Sequence, residues 1–298
     1  MLEEQRMTCT ALLLGGSGYI GTAFQEFFRC EKISYRNLRR QEVDYTNVAK
    51  LRAVLQELKP ELVINVAGYT GQFNVDDCEA HKTECLLANT ILPGVIREVC
   101  ENLQQPWAHI SSGCIFNGTR ADGSGFTETD EPNFTFRKNN CSFYSGTKAF
   151  GEELLQDANR CYVWRLRIPF HHIDHPRNYL TKMLRYERLL DTRQSLTYLP
   201  EFVQAAWECW RRRLPFGTYH MTNPGSITTR EVVELIHRSG VCKKEFQFFA
   251  SEKEFMQLAA KTPRSNCILD TGKLQRAGIV MTEVHESVAH ALANWKTF

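Results

Sequence analysis

The sequence lacks several features that would each have fixed its class. It has no apolar run long enough for a membrane span or a signal core, no Cys-x-x-Cys pair, no internal repeat and no low-complexity tract. Its 36 basic and 34 acidic side chains leave a formal net charge of only +2, too little excess of either sign to imply a polyanionic partner. Nucleic acid and membrane are therefore not expected as ligands. Eleven cysteines at irregular spacing make an odd set, which reads as free thiols in a reducing compartment rather than a disulfide framework. With the polar opening residues MLEEQRMT, this leads us to expect a cytoplasmic protein.

What is present is a chain of 298 residues, 43% hydrophobic, with its apolar content spread along its length, enough for a sizeable core. Short apolar runs at 8–14, 61–67, 106–112 and 162–168 alternate with amphipathic stretches at 22–30, 46–58, 83–103 and 144–158. That alternation predicts an α/β fold, a Rossmann-type doubly wound parallel sheet with helices on both faces. After Pro169 the pattern becomes mostly helical, apart from a strand near 217–223 that is expected to return to the sheet. The expected organisation is a nucleotide-binding domain over 1–168, joined by 200–222, and a smaller substrate lobe formed by 169–199 and 223–298.

The first run ends in Gly15-Gly16-Ser17-Gly18-Tyr19-Ile20-Gly21, a glycine turn between a strand and a helix, which is the context in which this spacing signals dinucleotide binding. Gly15 permits the turn, Gly18 lets the backbone approach a pyrophosphate, and the helix N-terminus offers unpaired N–H groups to the phosphates. About 20 residues further on, where an NAD enzyme carries a ribose-binding carboxylate, Tyr35-Arg36-Asn37-Leu38-Arg39-Arg40 has three arginines and no acid. Guanidinium groups suit a 2′-phosphate, so NADP(H) is preferred, with NAD(H) as the alternative. Asp44 is a candidate partner for the adenine amino group.

Tyr144 and Lys148 stand four residues apart at the start of a predicted helix, and therefore on one face. A phenol beside an ammonium and a nicotinamide ring can exchange a proton with a carbonyl oxygen while hydride moves to carbon. The companion hydroxyl is expected from the end of the preceding strand, at Ser111 or Ser112. An ordinary surface helix also produces Tyr-x-x-x-Lys; the glycine turn upstream makes the catalytic reading the stronger one.

Further stretches, KPELVINVAGYTGQFNVDDCEAHK, SSGCIFNG, GFTETDEPNF, SFYSGTKAFGEELL, RLRIP, PRNYLTK, MTNPG and TPRSNCILDTGKL, carry a resemblance that runs nearly end to end. The chain resembles extended short-chain dehydrogenases of the dTDP-4-dehydrorhamnose reductase type. Within them it is most similar to the nucleotide-rhamnose synthase epimerase-reductases that also form the C-terminal half of plant rhamnose synthases. The resemblance implies that a UDP- or dTDP-linked 4-keto-6-deoxy-D-glucose is epimerised at C3 and C5 and reduced at C4 with NADPH to the L-rhamnose nucleotide. It assigns Ser112, Tyr144 and Lys148 to reduction, and Cys114 and Lys182 as base and opposing acid for epimerisation.

By the same carry-over, Ala67, Gly68, Asn89 and Pro169 join the cofactor site. Thr70, Gly71, Asn74, Asp76, Arg177, Asn178, Arg264 and Asn266 face the sugar nucleotide. No metal is implied, and family habit points to a homodimer through the sheet-flanking helices. The chain departs from the plant pattern at Asp77, where they have tryptophan, at Ser112, where they have threonine, and in a longer loop over 134–141. A cysteine among eleven usually packs and a lysine on a basic helix usually faces water, so His171, His172 and His175 compete for the epimerisation role. Two other readings are a reductase without epimerase activity and a non-catalytic NADP-binding regulatory subunit.

Overall fold

The computed structural model describes residues 9–72 and 74–297. Six parallel strands form the central sheet: β1 (Ala11–Leu14), β2 (Tyr35–Leu38), β3 (Leu62–Asn65), β4 (Trp107–Ser112), β5 (Cys161–Leu166) and β6 (Gly217–His220), in the order β6-β5-β4-β3-β1-β2. Every residue of β1, β3, β4 and β5 is buried, which is why these strands read as continuous apolar runs rather than alternating ones.

Helices cover both faces. On one, α1 (Tyr19–Cys30) places Phe24 and Phe28 against Trp164, Phe202 and Trp207; the last two come from a helix at Leu199–Arg211 that precedes β6. On the other, α2 (Val48–Leu58) and α3 (Leu92–Asn102) bring Leu51, Leu55, Ile96 and Val99 against Leu12, Leu14 and Val63. A separate core, with Phe170, Leu180, Met183, Ile227, Val232, Ile236, Val284 and Val288, holds the largely helical C-terminal lobe together. β6 pairs in parallel with β5, so the predicted return to the sheet is borne out.

The helix expected over 83–103 is broken into three pieces. A turn of α-helix (Lys82–Leu86) widens into a π turn (Leu87–Ile91) before α3 begins. The widened turn places Asn89 where its Nδ2 donates to the Tyr69 carbonyl at 2.8 Å and to Thr147 Oγ1 at 3.2 Å, while its Oδ1 accepts from Tyr69 N–H at 2.9 Å. Apolar periodicity carries no signal for such a turn, because its cause is a tertiary hydrogen-bond demand.

Among the described residues no helix is long and apolar enough to cross a membrane. The eleven cysteines are free thiols, as their irregular spacing suggests.

Candidate active site

The chain leaves β1 for β2 on one side of the sheet and returns to β3 on the other, so a crevice opens at the carboxyl ends of β1 and β3. The glycine turn forms its floor. Gly15 takes φ +81° with Ala67 so close that a Cβ would lie 2.6 Å from its Cα, and a Cβ at Gly21 would overlap the Gly16 backbone. α1 begins at Gly18 with no side-chain cap and no acid in its first turn, leaving backbone N–H groups available to an anion. These features fit a dinucleotide pyrophosphate.

From this floor a cleft of about 1010 Å³ extends between sheet and lobe. Gly18, Tyr19, Ile20, Ala67, Gly68, Asn89, Ser111, Ser112, Tyr144, Lys148 and Pro169 line one part; Thr70, Asn74, Arg177, Lys182 and Arg264 line the other. Tyr144 and Lys148 project from α4 (Phe143–Glu153), whose first turn is capped by Ser142 Oγ accepting from Ser145 N–H at 3.1 Å. Lys148 Nζ donates to the Ile110 carbonyl at 2.9 Å, and Ser112 Oγ is hydrogen-bonded with the Tyr144 phenol. A hydroxyl, a phenol and an ammonium thus converge where β4 ends.

Residues 9–297 match the family model for the RmlD substrate binding domain. The chain belongs to this family. It is 32% identical over 282 residues to a bifunctional dTDP-4-dehydrorhamnose 3,5-epimerase/dTDP-4-dehydrorhamnose reductase of Arabidopsis thaliana, a match covering 93% of this chain and 90% of that protein. Against a trifunctional UDP-glucose 4,6-dehydratase/UDP-4-keto-6-deoxy-D-glucose 3,5-epimerase/UDP-4-keto-L-rhamnose-reductase of the same plant, identity is again 32%, but the chain spans only 41% of its length. A solved UDP-rhamnose synthase from Acanthamoeba polyphaga mimivirus superposes with a TM-score of 0.88 at 24% identity, covering 95% of this chain and 98% of that one. As a member of the family, the chain carries a nicotinamide dinucleotide site.

Within this family site, electrostatics refine the roles. Full burial pushes the Tyr144 phenol well above its ordinary range and outweighs the lowering by the Ser112 hydrogen bond. Tyr144 therefore holds its proton, which is the form a proton donor needs. Burial lowers Lys148, and the nearby Cys114, Glu152 and Cys85 oppose that. Cys114 lies behind Ser112 in a small apolar cluster with Ile115, Phe116 and Phe126, its backbone N–H donating to Ser112 Oγ at 3.2 Å. Burial raises its thiol pKa, while Ser112, Arg167, Ser145 and Lys148 pull the other way.

Several residues expected to face the sugar nucleotide also engage one another. Arg264 makes a bidentate ion pair with Asp76 at 2.7 and 2.6 Å, and Arg177 donates to Thr70 Oγ1 at 2.7 Å and the Gly71 carbonyl at 2.6 Å. Both contacts tie the loop after β3 to the lobe across the cleft, and Asn74 helps shape that loop by accepting from Asp76 N–H at 2.7 Å. Asn178 is fully buried and caps the helix at Tyr179–Arg185, its amide spent on His171, Ile173 and Leu180. Asn266 sits on a loop whose backbone pairs with Asn117 and Gly118, away from the cleft wall. Lys182, flanked by Arg177 and Arg264, reaches the cleft with its pKa lowered by burial and by those two cations.

The three histidines are occupied in the lobe's entry loop. His175 stacks on Tyr19 at 4.6 Å and accepts from Arg177 N–H, His172 hydrogen-bonds the Tyr198 hydroxyl at 2.7 Å, and burial holds His171 down to about 4. At the adenosine end Arg39 pairs with Glu42, Arg40 lies 3.6 Å from Asp44, and Arg36 stands exposed on the edge strand β2, opposite Leu12. The Asp44 carboxylate is held by Thr46, which lowers its pKa.

Sequence reasoning passed over Asn37. Its Oδ1 accepts from Gly16 N–H at 3.1 Å and its Nδ2 donates to Ser17 Oγ at 3.4 Å, bracing the glycine turn. The available signal was its place in YRNL, about where an NAD enzyme keeps its carboxylate.

Proposed function

We propose that the protein reduces the C4 ketone of a UDP- or dTDP-linked 4-keto-6-deoxyhexose with NADPH. The observation that carries this reading is a division of labour along one cleft. Ser112, Tyr144 and Lys148 stand at one end, and Arg177, Lys182 and Arg264 at the other. The first set suits a carbonyl at the hydride-transfer position, while Lys182, with Arg177 beside it and Arg264 offset by Asp76, leaves a net positive end that suits the diphosphate of a sugar nucleotide. When bound, the reduced nicotinamide supplies the hydride. Ser112 then holds the ketone oxygen and the protonated Tyr144 donates to it, with Lys148 stabilising the phenolate that remains.

The test is NADPH absorbance, followed with UDP- and dTDP-4-keto-6-deoxy sugars, both before and after 3,5-epimerisation. Oxidation that requires the sugar nucleotide supports the proposal. Tight NADPH binding without turnover on any of the four would establish a regulatory subunit in its place.

Asn37 gives the NADPH preference a direct check. Exchanging the amide for a carboxylate leaves the contact with Gly16 possible but sets a negative charge where a 2′-phosphate approaches. Asn37→Asp is expected to raise the KM for NADPH roughly 10-fold or more and to improve NADH. Unaltered KM values for both cofactors would exclude this position from selectivity.

Epimerisation is a second reading, favoured by Lys182 in the cleft wall and by the two activities named for the Arabidopsis relative; Cys114 is buried and is not among the residues lining the cleft. It predicts deuterium entry at C3 and C5 when a non-epimerised 4-keto-6-deoxyglucose nucleotide is incubated in D2O. Cys114→Ser should abolish that exchange yet still reduce pre-epimerised substrate. Reduction without exchange in the unsubstituted protein would identify a monofunctional reductase.

A further inference from the structure

The strand end that presents Ser112 is held from behind by a buried carboxylate. Glu152 follows Lys148 by four residues on α4, so the two side chains lie on one face of the helix. The Ser111 hydroxyl donates to Glu152 Oε1. Arg165 Nε donates to both carboxylate oxygens at 3.1 and 3.0 Å, and its Nη2 donates to Oε2 at 2.6 Å. Only 6% of the Arg165 side chain and 10% of Glu152 remain exposed, so solvent screens this pair weakly.

The far side of Arg165 is fixed as well. Its Nη1 lies 3.1 Å from His220 Nε2, and His220 Nδ1 lies 3.1 Å from the Asp270 carbonyl oxygen. The carbonyl can only accept, so Nδ1 carries the proton and Nε2 accepts from Arg165. Burial and the Arg165 charge press His220 down to about 3, in keeping with that neutral ring. Arg165 and its carboxylate are therefore locked in orientation.

Three successive residues of β4 now have distinct tasks. The Ile110 carbonyl accepts from Lys148 Nζ, Ser111 grips Glu152, and Ser112 hydrogen-bonds the Tyr144 phenol. The titratable groups facing Lys148 are Tyr144 and Glu152 on its own helix, His109 on β4, Cys114 beyond β4 and Cys85 ahead of the π turn. Burial and Lys148 keep His109 neutral, and burial pushes the Cys114 thiol up. Glu152 is the carboxylate of the set.

We propose that Glu152 is a positioning residue for the reaction: through Ser111 it fixes the strand end that aims Ser112, and from the same face of α4 its charge acts on Lys148. This inference rests on the reductase reading above. Two variants separate its parts. Ser111→Ala cuts the link and keeps the charge; Glu152→Gln keeps the shape and removes the charge.

Ser111→Ala is expected to lower kcat roughly 10- to 100-fold at nearly constant KM and unchanged NADPH affinity. For Glu152→Gln, the Lys148 pKa falls when the opposing charge is lost, so the alkaline limb of the kcat profile should move about one unit toward acid. The same shift should appear without substrate, in NMR titration of Lys148 in isotope-labelled protein. If Glu152→Gln does not fold, Glu152→Asp, which withdraws the charge by one methylene, serves the titration.

An unshifted Lys148 titration, or Ser111→Ala turning over like the parent protein, overturns the inference. If the parent protein reduces none of the sugar nucleotides, the reductase reading fails by itself, and the substrate-free titration still decides whether Glu152 sets the state of Lys148.

Discussion

Replacing Tyr144 with phenylalanine is expected to reduce NADPH-dependent turnover by about 10²–10⁴-fold, the usual contribution of a positioned acid or base. The ring stays, so the packing against Cys114, Ile115 and Ala149 persists, and only the phenol oxygen that pairs with Ser112 is lost. Affinity for NADPH should stay within a few-fold of the parent, because the glycine turn and the start of α1 are untouched. Stopped-flow measurement of the single-turnover rate, alongside cofactor fluorescence, separates the two quantities. A phenylalanine variant that retained a tenth of the parent rate would remove Tyr144 from proton transfer. The direction of the pKa displacement sharpens this expectation. Burial keeps the phenol protonated well beyond the neutral range and lowers Lys148, so the alkaline limb of turnover should follow Lys148 and not Tyr144.

The second large effect belongs to Gly21. A methyl group there would run into the backbone of Gly16 rather than into a side chain that can swing aside. α1 must then lift away from the turn, at a cost of about 1–3 kcal/mol typical of overpacking. Because the same movement displaces the N–H groups at the start of α1, most of that cost should fall on cofactor binding. Gly21→Ala is expected to weaken NADPH about 10- to 100-fold, since 1.4 kcal/mol corresponds to a factor of ten. Isothermal titration with NADPH and a thermal melt without it check this together. Unchanged affinity with an unchanged melting temperature would mean that the turn tolerates the methyl group, and that the close approach of α1 is not needed for binding.

Much of the site was legible because its parts are local in sequence. The turn at Gly15 to Gly21, the four-residue step from Tyr144 to Lys148, and Ser112 at a strand end each carry their chemistry within a few residues. All three meet because consecutive strands deliver their carboxyl ends to one edge. Asn37 was within reach of the same reasoning, but beside three arginines a neutral amide in the carboxylate's place carries no charge signal. The pairing of Asp76 with Arg264 and of Arg177 with Thr70 was not legible, since each links segments more than a hundred residues apart. Residues that the sequence presents as separate contacts to a sugar nucleotide also bridge loop and lobe.

The sequence by itself determined the parallel α/β architecture, the family, the glycine turn and the candidates for proton transfer, because periodicity and short motifs are local properties of the chain. Only the tertiary structure decided the ionisation state of Tyr144, since burial depends on every segment that closes over it. Tertiary structure also decided the π turn that seats Asn89, the seclusion of Cys114 behind Ser112, and the buried Glu152–Arg165 pair behind Ser111. These arise from desolvation and from hydrogen bonds between distant segments, and neither leaves a periodic trace in the order of residues.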